Sequence, residues 1–258
     1  RISSKEWRKA MKIIITGALG RMGQKLTDAI SRTGHEIAAF VDISYGECGG
    51  EREYGDINAV SEEADVIIDF SHHSYTACVL DYAARRGIPA VIATTGHTGA
   101  EKDFISSSAE KIPVFYSQNM SLGIATLCDT VKKVLSVFTG ADVEIVETHH
   151  NNKLDAPSGT AKMLFDSIKE VRPDAVMVCG RSGYGKREKN EVGISSVRVG
   201  GIVGIHEVII GTESEQIVIR HEAYDRALFA DGAIKAAEYI KSKALGLYGM
   251  KELLAEAE

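Results

Sequence analysis

Lys12-Ile-Ile-Ile-Thr16-Gly17-Ala-Leu-Gly20-Arg-Met-Gly23 decides the fold. Residues 12–16 are a short apolar, β-branched run, the kind buried on both faces of a parallel sheet. Three glycines follow at once. After them, residues 24–32 place Leu26, Ala29 and Ile30 at helical spacing before Gly34 stops the helix. A second strand, residues 36–41, ends at Asp42. A GxxGxxG run alone is weak, because glycine is common at ordinary turns. Strand before, helix after and an acidic residue closing the next strand make it a dinucleotide-binding turn. Gly17, Gly20 and Gly23 permit a tight turn and let a pyrophosphate approach the helix N-terminus. Asp42 is placed to accept from the adenosine ribose hydroxyls. Ile43 follows it where a cation would serve a 2′-phosphate, which favours NADH over NADPH, although Arg21 is close in sequence.

Outward from this unit the βα alternation continues. The pattern predicts strands at 65–70, 89–93 and 113–116 and helices at 74–86 and 99–110. Residues 44–63 read as a loop with a short helix. Past Met120 the rhythm changes. A helix over 123–138 and a strand over 142–148 are followed by a helix over 157–171. Three closely spaced strands then cover 194–199, 205–210 and 216–221, and an amphipathic helix covers 226–243. The expected architecture is α/β: a Rossmann-type doubly wound parallel sheet plus a second α+β domain with a mixed open sheet. Residues 11–120 with 226–258 form the dinucleotide-binding domain, and 121–225 the substrate-binding and oligomerisation domain. The chain crosses between them twice, as at a hinge. Residues 1–10 read as an extension outside the fold. Residues 181–191 read as a mobile or partner-facing loop.

The second chemical signal is Glu144-Ile-Val-Glu-Thr-His-His-Asn-Asn-Lys-Leu-Asp-Ala-Pro-Ser-Gly-Thr160. A strand releases two histidines and a lysine, and then a helix opens. Pro157 suits a first-turn position. The N–H groups of Ser158, Gly159 and Thr160 form an anion cradle there. A proton carrier, a fixed cation and an anion cradle in one segment point to a small anionic substrate. The alternative is a packed or solvated histidine pair and a plain helix cap.

The 258 residues carry a net charge of −6, which argues against nucleic acid as partner. No run approaches the length of a membrane span, and no signal peptide is visible. Cys48, Cys78, Cys128 and Cys179 are scattered without metal spacing, so a reducing compartment, the cytoplasm, is expected. His72 and His73 are adjacent but lack a ligand cluster, so no metal site is assigned.

With these motifs assembled, the chain resembles bacterial dihydrodipicolinate reductases (4-hydroxy-tetrahydrodipicolinate reductases) from about Met11 onward. The resemblance rests on residues 17–23, Ile68-Asp-Phe-Ser71, Ala93-Thr-Thr-Gly96, Asn119-Met-Ser-Leu-Gly123 and, above all, residues 147–160. It implies reduction of 4-hydroxy-tetrahydrodipicolinate, a small dicarboxylate, in diaminopimelate and lysine biosynthesis. It further implies His149 as proton donor/acceptor and Lys153 as proton donor. His150, with the Gly159 and Thr160 amides, would hold the substrate carboxylates. Gly17, Ala18, Leu19, Gly20, Arg21, Met22, Asp42, Ala93, Thr94, Thr95, Ser117, Gln118, Asn119 and Met120 would line the cofactor. A homotetramer built through the second domain is implied too. Asn151 and Asn152 depart from a more basic pair, and Ile43 from an arginine. The competing readings are another two-domain NAD-linked dehydrogenase, or an NAD(H) sensor without turnover.

Overall fold

The computed structural model describes residues 10–46 and 49–256. The expected extension at 1–10 thus falls, apart from Ala10, outside the described residues, as does Cys48. Two compact units result: the residues up to Met120 with those from Ala227 onward, and Ser121–Arg226.

In the first unit β1 (Lys12–Thr16), β2 (Glu36–Val41), β3 (Glu53–Tyr54), β4 (Val66–Asp69), β5 (Ala90–Ile92), β6 (Pro113–Tyr116) and β12 (Gly246–Tyr248) form one sheet. Its seven strands are parallel and run in the order β12-β6-β5-β4-β1-β2-β3. Strand alternation divides its core. Ile13, Ile15 and Ile68 pack with α1 (Arg21–Ile30) and α6 (Ala227–Ile240) on one face. Ile14 and Ile67 pack with α2 (Thr76–Arg86) and α3 (Gly99–Ser108) on the other. Each of these isoleucines is fully buried, which contributes roughly 2 kcal/mol apiece. The strand order reverses between β1 and β4, and such a switch point opens a crevice beyond the carboxyl ends of the strands.

The second unit is a five-stranded sheet, β11-β10-β7-β9-β8, made of β7 (Asp142–His149), β8 (Val176–Cys179), β9 (Glu191–Arg198), β10 (Gly204–Gly211) and β11 (Gln216–Ala223). It is mixed: β7, β9 and β8 run parallel, while β10 is antiparallel to both β7 and β11. One face carries Val143, Ile145, Ile194, Val208 and Ile210. It is covered by α4 (Leu122–Val137) and α5 (Gly159–Val171).

The structure departs from the sequence reading in its short elements, at Pro157 and at residues 181–191. Strands β3, β8 and β12 and the short helix α7 (Met250–Ala255) were not expected. The two- to four-residue strands carry too little alternation to register, because sheet pairing and not local pattern defines them. Pro157 lies outside α5, since Ser158 is the cap: its backbone is extended and its hydroxyl accepts from the Ala161 N–H at 3.1 Å. The 181–191 segment is largely exposed coil up to the start of β9, but it is tethered. Arg187 bonds Glu144 at 3.1 Å and Arg181 pairs with Glu191.

Candidate active site

At the switch point of the first sheet the chain turns without room for side chains. Gly17 has φ of +74°, and a Cβ there would lie 2.6 Å from the Phe70 carbonyl oxygen. A Cβ on Gly23 would lie 2.2 Å from the Gly17 carbonyl oxygen, so this glycine lets α1 sit against the turn. Gly20 differs: it is exposed, and its Cβ would meet only the Gly17 oxygen, at 3.1 Å. That open edge at the N-terminus of α1 is the face a diphosphate needs. Asp42 stands beside it, accepting from the Leu19 N–H and the Ser44 N–H, both at 3.0 Å. Ala18 is buried, Leu19 and Arg21 are exposed, and Met22 is half-buried against the core.

The other expected cofactor residues divide by burial. Thr95 and Gln118 are exposed, and Ser117 and Asn119 are half-buried. Ala93, Thr94 and Met120 are buried. The Thr94 hydroxyl donates to Asp69 at 3.0 Å. Asp69, itself fully buried, also accepts from Thr16 at 2.6 Å, from the Ser71 N–H at 2.9 Å and from Thr76 at 3.3 Å. One carboxylate thus fixes the loops at the ends of β1, β4 and β5. His72 and His73 are local anchors: His72 bonds Ser74 at 2.9 Å and His73 bonds Glu101 at 2.8 Å. Among the described residues no group of three or more His, Cys, Asp or Glu side chains could hold a metal ion.

In the second unit, the apolar inner face of the sheet turns polar where β7 and β9 end and β10 begins. Along β7 the inward positions run Val143, Ile145, Glu147, His149, all buried. Strand register places His206 of β10 opposite Glu147, and Arg198 of β9 opposite His149. Glu147 is wholly inaccessible, and its charge is met from three sides. Arg198 grips both its oxygens at 2.8 Å, the Ser158 N–H donates at 3.1 Å, and His149 Nδ1 lies 2.5 Å away. Burial pushes the Glu147 pKa up, but the Arg198 fork, the Ser196 and His149 side chains and the Ser158 amide outweigh it. The result is about 2.

An ionised Glu147 requires Nδ1 of His149 to carry the proton, which leaves Nε2 as the atom that exchanges protons. Burial lowers the His149 pKa and Glu147 raises it; the net direction is down, so the ring is neutral near pH 7. Gly204 keeps Nε2 accessible, since a Cβ at that position would stand 3.1 Å from it. His206 packs edge-on to His149, ring centres 5.1 Å apart, and its Nε2 is hydrogen-bonded with the Ser158 hydroxyl at 3.1 Å. Burial lowers its pKa to about 3.

Lys153 lies in the loop after β7, its Nζ 2.8 Å from Asp155. His150 is half-buried, with its N–H on the Ile202 carbonyl and its carbonyl accepting from the Lys153 N–H. Gly159 and Thr160 open α5 beyond the cap. The Ser158 amide, expected in the anion cradle, donates instead to Glu147. Glu147, Arg198 and His206 were given no role from sequence. The signal was present: each is a polar residue at an inward position of a strand whose other half is apolar on that face.

Sequence comparison agrees with both halves of this arrangement. Residues 11–120 match the family described as dihydrodipicolinate reductase, N-terminus, and residues 123–254 match dihydrodipicolinate reductase, C-terminus. A 4-hydroxy-tetrahydrodipicolinate reductase of Caldanaerobacter subterraneus is 43% identical over 247 residues, 95% of this chain and 98% of that one. The reductase of Clostridium novyi is 39% identical over 94% of this chain and 98% of its own. Among solved structures, dipicolinate-bound dihydrodipicolinate reductase from Paenisporosarcina sp. TG-14 has the same fold, with a TM-score of 0.78 at 24% identity. The match covers 94% of this chain and 99% of that one. The chain belongs to the dihydrodipicolinate reductase family.

Proposed function

We propose that this protein reduces 4-hydroxy-tetrahydrodipicolinate to tetrahydrodipicolinate, with loss of water, using a nicotinamide dinucleotide. The observation that carries the reading is the presence, in one unit, of a neutral His149, of Lys153 on the loop that follows it and of the helix N-terminus that opens after that loop. The other unit supplies the glycine turn at Gly17, Gly20 and Gly23 and the fixed carboxylate of Asp42. When bound, the reduced nicotinamide supplies a hydride. Gly17 to Met22, Asp42, Ala93 to Thr95 and Ser117 to Met120 hold it.

The substrate is a dianion, and the groups offered to it are complementary. The Gly159 and Thr160 amides and the His150 ring take its carboxylates. Lys153 stabilises charge as it develops on the conjugated ring and delivers the proton that accompanies reduction. His149, through Nε2, accepts and returns a proton as water is lost. The sensor reading leaves the Glu147–His149 pairing without a purpose.

NADH is the preferred donor. Asp42 is already tied to two backbone amides and followed by an exposed Ile43, so a 2′-phosphate would meet a fixed anion. Cofactor oxidation with freshly generated 4-hydroxy-tetrahydrodipicolinate should proceed with both dinucleotides, with kcat/KM about tenfold higher for NADH. Asp42→Ser should narrow that ratio. Binding of NADH without any turnover would sink the reductase reading.

The protein assembles as a homotetramer through its second unit. On the uncovered face of that sheet Val197 is 41% exposed and Val218 46% exposed, and β8 and β11 are its edges. Light scattering on the eluting peak should give four times the chain mass; a monomer at micromolar concentration would refute the assembly.

A further inference from the structure

Arg198 makes more contacts than a partner for one carboxylate needs. One terminal nitrogen donates to Glu147 Oε2 and the Val197 carbonyl, both at 2.8 Å. The other donates to Glu147 Oε1 at 2.8 Å and to the Asp155 carbonyl at 2.6 Å. The guanidinium therefore spans the carboxylate behind His149 and the backbone of the loop that carries Lys153. Its fork geometry suits it to this, where a lysine would reach one partner at a time. On that footing, and resting on the reductase reading above, we infer that Glu147 and Arg198 are positioning residues for both proton-carrying groups. Glu147 fixes the His149 ring with Nδ1–H inward and Nε2 outward. Arg198 keeps Glu147 from taking that proton and pins the Lys153 loop at Asp155.

The alternative is a purely structural ion pair tying β7 to β9, which the strand ladder already joins along seven residue pairs from Val143–Val192 to His149–Arg198. A pair kept only for stability has little to recommend it, because desolvating a buried Glu147 and a half-buried Arg198 offsets much of their attraction. Pairs of this kind are worth retaining where they hold a third group in place. Here that group is His149, and no other carboxylate touches its ring among the described residues.

The charged and titratable groups around His149 set the signs of the test. Glu147 on its own strand raises its pKa, and Arg198 on β9 and Lys153 on the following loop lower it. His206 on β10 faces it and is kept neutral by burial, and His221 of β11 stands behind His206 in register. Removing the carboxylate and removing the guanidinium should therefore move the His149 titration in opposite directions. A general loosening of the sheet would not do that.

The experiment is a pH titration of the ring nitrogens by long-range nitrogen–proton NMR on the full chain, with kcat and KM measured in parallel. The variants are Glu147→Gln, Arg198→Met and Arg198→Lys. In the wild type His149 should be neutral at pH 7 with the proton on Nδ1. Glu147→Gln should lower the midpoint by about one pH unit and lose the tautomer preference. It should cut kcat about 10- to 100-fold, with KM within about threefold. Arg198→Met should raise the midpoint by a similar amount, and Arg198→Lys should restore the tautomer and part of kcat. If Arg198→Met does not fold, the isosteric Glu147→Gln and the charge-retaining Arg198→Lys decide the matter. An unchanged midpoint and tautomer in folded Glu147→Gln would overturn the inference. Failure of the wild type to turn over substrate would instead overturn the reductase reading, and the ring titration would still decide whether Glu147 and Arg198 position His149.

Discussion

Lys153→Ala should lower kcat by about 10²- to 10⁴-fold while leaving NADH affinity within about twofold. The loss has two parts. On the proposed reading the ammonium attracts a carboxylate of the substrate, so its removal should raise KM; it also delivers a proton as the ring is reduced, so its removal should lower kcat. Lys153→Arg separates them. A guanidinium restores the charge but does not release a proton in the accessible pH range, so KM should recover and kcat should not. The ammonium is 2.8 Å from Asp155, whose carboxylate is half exposed and held below its usual pKa, first of all by Lys153 itself. Single-turnover measurements at saturating NADH read the chemical step directly. A Lys153→Ala enzyme with near wild-type kcat would remove Lys153 from the proton-delivery role.

The parts of this site that are legible in sequence are those with a local backbone reason. Gly17 and Gly23 are demanded by turn geometry, and Asp42 by its place at the end of a strand. The Pro-Ser-Gly-Thr opening of α5 signals a helix cap, and Ser158 performs it. What the sequence hides is decided by pairing between strands far apart in the chain. Arg198 meets Glu147 only because β9 runs parallel to β7 in one register, and His206 only because β10 runs antiparallel on the other side. Local pattern cannot supply a register, although it can show a polar residue standing where an apolar one is due. The Ser158 amide was misassigned for the same reason. Its acceptor, Glu147, lies eleven residues earlier, on a strand whose approach to the start of α5 is a matter of tertiary packing.

Acidification should weaken the second unit well before its carboxylates protonate, and His206 is the cause. It is 4% exposed, and its Nε2 shares a hydrogen bond with the Ser158 hydroxyl at 3.1 Å. Burial holds its folded pKa at about 3 against an ordinary 6.5. Between those values the unfolded chain binds a proton that the folded chain refuses. Stability therefore rises with pH across that window and is lost as pH falls from 6.5 toward 3. His149, also lowered by burial, acts with the same sign. Glu147 does not contribute there: its depressed pKa, about 2, confers stability above its ordinary 4.5 that is lost only as pH falls toward 2. At pH 5 the His206 contribution alone is roughly 2 kcal/mol, or about 4–8 °C in Tm relative to pH 7. His206→Gln keeps a hydrogen-bond partner for the Ser158 hydroxyl but cannot be protonated, so it should remove most of this drop while lowering Tm at pH 7. Thermal unfolding followed at several pH values checks it. A His206→Gln chain whose Tm falls between pH 7 and 5 as steeply as the wild type would show that the acid sensitivity arises elsewhere.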